Sequence, residues 1–76
     1  MIDPQLARAL ADVEFLERVG RRELWPERTM SNLALFRVYM PRYSDDALSH
    51  YANFVGHQAN VVRAILSNFA AQDNKN

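Results

Sequence analysis

Apolar and polar positions along this chain recur at three- and four-residue spacing, so the pattern predicts helices rather than strands. In the first segment Leu6, Ala9, Leu10, Val13, Leu16 and Gly20 fall on one side of a helix. Asp3 is placed to cap it, and Pro4 supplies a preset first-turn φ where no amide donor is needed. Glu14 with Arg18, and Glu17 with Arg21, stand four residues apart in the favourable order and predict a solvated, ion-paired flank. The stretch GRRELWPER then breaks the period, because the residue before Pro26 is pushed out of helical geometry.

The second segment, Thr29 to Met40, carries Met30, Leu33, Ala34, Leu35, Phe36, Val38, Tyr39 and Met40, which leave no side free of apolar residues. Such a helix is expected to be buried, and to be the most protected of the set. Pro41 ends it. Ser44 is the expected cap of a third helix, with Asp45 and Asp46 at its positive end. That helix is predicted to run to about Gln72, roughly 40 Å at 1.5 Å per residue, with the tail DNKN frayed. The pattern thus predicts an all-α fold, a small three-helix domain with a long C-terminal helix, filling residues 1–76 as a single helical domain.

On a wheel of about 100° per residue, Leu48, Tyr51, Val55, Val62, Ile65, Leu66 and Phe69 form an apolar half of the third helix. Phe54 and Val61 widen it, and Gln58 lies inside it, where a polar residue can set register across a helical seam. Opposite stand Ser49, His50, Asn53, Gly56, His57, Asn60, Ala64, Ser67 and Asn68, with Arg63 at the margin. From Ala47 through Val62 there is no Asp, Glu, Lys or Arg. Depleted charge and small residues are what the centre of a protein contact shows, so His50, Asn53, Gly56, His57 and Asn60 are candidate interface residues. A solvated face that uses Asn and Ser would carry the same residues. Gly56 sharpens the choice, because glycine inside a helix costs about 1 kcal/mol relative to alanine. Close approach of another backbone is one reason for it, and a tolerated kink is the other.

On the first helix Phe15 points away from the apolar stripe and is flanked at helical spacing by Arg8, Arg18 and Arg22. Aromatic and arginine together are the composition of interface hot spots, which makes Phe15, Arg18 and Arg22 candidates too. The other reading packs Phe15 beneath another helix of its own chain.

Composition narrows what the surface does. Nine basic and nine acidic residues cancel, which argues against direct nucleic-acid binding. A chain of 76 residues without cysteine buries only about 60% of its unfolded surface, so tight packing or self-association must supply its stability. A homo-oligomer is therefore expected. No apolar run approaches a membrane span, and MIDPQLARAL lacks the regions of a signal peptide, which together fit a cytoplasmic protein.

The residues of catalysis are missing from the pattern. His50 and His57 are separated by about 10.5 Å along a helix axis, too far to share a metal ion. There is no HExxH arrangement, no cysteine nucleophile and no glycine-rich phosphate loop. Asp45 and Asp46 suit the helix dipole better than acid–base work. No enzyme activity, cofactor or metal is expected.

Three short stretches, FLERVGRR, TMSNL and SDDALSHY, stand in the order of corresponding stretches in another group of proteins. In these the chain resembles the Hha/YmoA family of small helical gene-expression modulators, which bind the nucleoid protein H-NS. Over about 45 residues the resemblance implies that Phe15, Arg18, Arg21, Arg22 and His57 carry a contact to such a partner. Gly56 and Gln58 stand where that family has charged residues beside the histidine. A non-enzymatic regulatory protein that docks on another protein through helical surfaces, as a modulator of transcription silencing, is the leading expectation. An inhibitor of a host or defence complex, encoded by a phage or plasmid, and a structural homodimer are the alternatives.

Overall fold

A computed structural model describes residues 3–73 and consists of three α-helices: α1 (Pro4–Glu23), α2 (Glu27–Tyr39) and α3 (Asp45–Asp73). The all-helical, three-helix fold with a long last helix is as the spacing predicts. Apart from Asp73, the last helical residue, the tail expected to fray lies outside the described residues.

The helix ends follow from a few side chains. Asp3 accepts a hydrogen bond from the Gln5 amide at 2.9 Å, and Ser44 Oγ accepts one from the Ala47 amide at 3.3 Å, so both expected caps form. Helix α1 stops at Leu24, whose φ of 57° is left-handed although it is not glycine. This turn lets the Trp25 amide donate to the Gly20 carbonyl at 2.9 Å before Pro26 redirects the chain. Helix α2 begins at Glu27, two residues earlier than its apolar pattern indicates, because Pro26 presets the backbone just ahead of it. Met40 leaves α2 and joins a single 3-10 turn, Met40–Arg42, since Pro41 has no amide to continue the α-helical ladder.

Helix α1 is the centre of the fold. Its partners on α2 come in reverse order, with Gly20 against Met30 and Glu17 against Arg37, so the two helices are antiparallel. With α3 the order is direct: Gln5 reaches Ser49, and Asp12 reaches Gly56 and Arg63. On that offset of 44 residues Glu23 lies level with Ser67, and the end of α3 projects beyond α1. The core is built from Ala9, Val13 and Leu16 of α1, Leu33 of α2, Met40, and Leu48, Val55 and Ala59 of α3.

Two expectations are corrected here. Helix α2 is not the most buried, for Leu33 is its only buried residue and Leu35, Val38 and Tyr39 are about half exposed. Both α2 and α3 pack mainly on α1, so among the described residues nothing covers the far side of α2. The within-helix pair Glu17–Arg21 does not form either. Glu17 is buried and takes Arg37 of α2 at 3.1 Å, and among the described residues Glu14 and Arg18 are not ion-paired. A neighbouring helix offers the carboxylate a more shielded partner than the next turn does.

Candidate functional site

Because α2 and α3 meet α1 more than each other, a groove of about 710 Å³ opens between them. Aromatic side chains bridge it. The Phe36 ring lies 5.6 Å from Tyr51 and 6.5 Å from Phe54, and Tyr43 lies 5.2 Å from Tyr51. Trp25, Leu33 and Tyr39 line the α2 side, while Tyr51, Phe54 and Gln58 line the α3 side. Among the described residues no Asp, Glu, Lys or Arg borders the groove. Along α3 the same flank continues past it through Val61, Ile65 and Phe69, all substantially exposed.

On the other side of α3 a second cleft, of about 580 Å³, separates it from α1 and is polar. Asn53, Gly56, His57, Asn60 and Arg63 line it from α3, and Gln5, Arg8 and Asp12 line it from α1. Asp12 is buried, and Arg63 donates to its Oδ1 at 3.2 Å while Asn60 Oδ1 accepts from the same guanidinium, also at 3.2 Å. The Arg63 guanidinium also lies over the Phe15 ring, 4.4 Å from its centroid, with Arg18 at 6.0 Å. At the nearer distance the cation meets the negative face of the ring.

The structure therefore sorts the predicted site residues into two places. Phe15, Arg18, Asn53, Gly56, His57 and Asn60, read as two separate groups along the chain, share one face through Arg63. Arg22, one turn beyond Arg18, is exposed and pairs with Glu23 at 3.5 Å. His50 lies apart, at the apolar groove, edge-on to Tyr51 at 5.0 Å. Phe15 is half-buried against the core of its own chain, and Gly56 faces Asp12 of its own α1. A Cβ at Gly56 would meet only the Asp12 Oδ2, at an ordinary contact distance of 3.5 Å, so among the described residues no other backbone approaches Gly56 closely.

Two features escaped the sequence reading. The seam of α3 is centred on Ala52, Val55 and Ala59, and Ala59 is completely inaccessible. Alanine is a weak hydrophobic signal, and the large residues beside it pull the apparent centre of the face toward Tyr51 and Phe54. Asp12 and Arg63 lie 51 residues apart, so no local spacing signals their pairing.

Among the described residues no three His, Cys, Asp or Glu side chains gather as a metal site requires, and no helix is long and apolar enough to cross a membrane. Comparison of the chain with protein-family models, with curated proteins and with solved structures finds no match.

Proposed function

We propose that this protein is a small non-enzymatic regulatory module that works by docking another protein on its α1–α3 face. The observation that carries the reading is Phe15, held between Arg18 and Arg63, beside a cleft whose remaining α3 lining is uncharged. A half-buried aromatic ring with arginines is a ready anchor, because it offers apolar area and directed donors while little side-chain entropy remains to be lost. Arg8 and Arg18 make no ion pair among the described residues, so the partner segment they suit is acidic. Asn53, His57 and Asn60 add donors and acceptors without the cost of burying charge. The resemblance to the Hha/YmoA family, which falls on Phe15, Arg18, Arg21, Arg22 and His57, supports a nucleoid protein of transcription silencing as that partner.

The test is capture from cell lysate by wild-type protein and by Arg18→Glu and Asn53→Glu, read by quantitative mass spectrometry. Both positions are exposed, so circular dichroism should show intact folds. One protein should be retained by the wild type and reduced roughly tenfold or more by each variant, the effect of about 1.4 kcal/mol. A nucleoid protein in that position supports the silencing role, and a defence complex replaces it with inhibition. Identical captures by all three proteins would remove the face from consideration.

A further inference from the structure

We propose that the α2–α3 groove is a dimer interface, and that its occupant is α3 of a second copy, antiparallel about a two-fold axis near Gln58. The surface area argues for an occupant. The chain exposes 5841 Å², whereas a compact monomer of its mass exposes about 4,800 Å². Its radius of gyration is 14.0 Å, against about 11 Å for a compact chain of this length. The excess, on the order of 1,000 Å², is close to the roughly 800 Å² per partner that a standard interface covers.

The chemistry of the groove selects a second copy over other occupants. An uncharged aromatic lining accepts an apolar ridge that brings no charge with it. Such a ridge is present on this chain, in Val61, Ile65 and Phe69, and from Ala64 through Gln72 α3 has no charged residue. Arg63, the one charged residue of α3 between Asp46 and Asp73, is turned away to Asp12 and Phe15.

The arrangement is self-complementary. Along one flank of α3, Tyr51 and Phe54 belong to the groove and Ile65 and Phe69 to the ridge, with Gln58 between them. An isologous two-fold contact requires each patch to meet its complement in the other copy. Antiparallel pairing about Gln58 sets each Ile65 over the other Tyr51, and each overhanging Phe69 at the other groove's outer end. The two Gln58 amides meet on the axis, where each can donate to and accept from the other, so the buried polar pair sets the register.

Sedimentation of the full chain over a micromolar range tests the interface, with Ile65→Glu as the disruptive variant. Wild-type protein should approach twice 8.8 kDa, and Ile65→Glu should stay at 8.8 kDa with an unchanged helical spectrum, since residue 65 is already exposed. The register has its own test, because the chain has no cysteine. Gln58→Cys should oxidise to a covalent dimer, which requires the two Cα atoms to come within about 7 Å, while Asn53→Cys on the opposite side should not. Arg18→Glu should leave the dimer intact, so this inference and the docking face fail separately. A wild-type monomer at every concentration would overturn the proposal, as would a dimer unaffected by Ile65→Glu or cross-linked through Asn53→Cys alone. A monomer whose Trp25 fluorescence shifts saturably with a long-chain fatty acid would overturn it too, and would give the groove to a small apolar ligand.

Discussion

Against α2, helix α1 sets Gly20 beneath Met30 and Trp25 and has Glu17 clamped by Arg37. Against α3 the glycine sits on the other helix, at Gly56, and the clamped carboxylate is Asp12, held by Arg63. Both seams combine a small residue with a buried acid paired to a half-exposed arginine. Their packing differs. A Cβ on Gly20 would collide with Met30 and stand 2.9 Å from Trp25, whereas one on Gly56 would meet only Asp12 Oδ2 at 3.5 Å. In the first seam the missing side chain is replaced by large apolar groups that close it. In the second the space faces a carboxylate that must keep its hydrogen bond to Arg63, so the seam stays open as a polar cleft.

Several substitutions probe this contrast. Met40 is fully buried in the turn that leads from α2 to α3, and Met40→Ala should weaken both seams together by about 2–5 kcal/mol in chemical denaturation. If only one seam loosened by amide exchange, the two would be energetically separate. Next in size are the clamps. Arg37→Ala and Arg63→Ala should each cost about 1.5–3 kcal/mol, toward the lower end because each arginine is half exposed. Only Arg63→Ala should also weaken partner capture, since it uncovers Phe15. Equal capture by both variants would break the assignment of the docking face to the α1–α3 seam.

The glycines should respond with opposite signs. Gly20→Ala gains about 1 kcal/mol of helix propensity but meets an overpacking cost of about 1–3 kcal/mol, for a net loss. Gly56→Ala has only an ordinary contact to accommodate and should raise the melting temperature, by up to about 1 kcal/mol in stability. A destabilising Gly56→Ala would show that this seam is as tight as the other. The smallest effect belongs to Leu24, left-handed and almost fully exposed at the turn into α2. Leu24→Gly relieves a strain of about 1–2 kcal/mol and adds freedom to the unfolded chain, leaving a net gain below about 1 kcal/mol by thermal melting.

The residues differ in how far they could be read in advance. The stripe of α1 was legible because Ala9, Val13 and Leu16 pack at their own helical period, and both caps were legible because Asp3 and Ser44 act within three residues. Burial of α2 was not, because apolar residues on every side say what a helix tolerates and not what covers it. For α3 the apolar half was right in kind and displaced in centre. Its seam runs through Ala52 and Ala59, and Tyr51, Phe54 and Ile65 stand beside it, partly exposed in the single chain. The candidate site was legible as two lists, one from each helix, but not as one surface.

The sequence by itself determined what is local: helix period, caps, the stops at Pro26 and Pro41, and the uncharged length of α3. These depend on neighbours within one or two turns, where spacing along the chain is also distance in space. Tertiary structure alone decided that α1 lies between the other two helices, and hence which apolar faces have a cover. It also chose Arg37 for Glu17 over Arg21, and Arg63 for Asp12. An ion pair or an apolar face is settled by whichever partner best excludes water, and that partner came from 20 to 51 residues away.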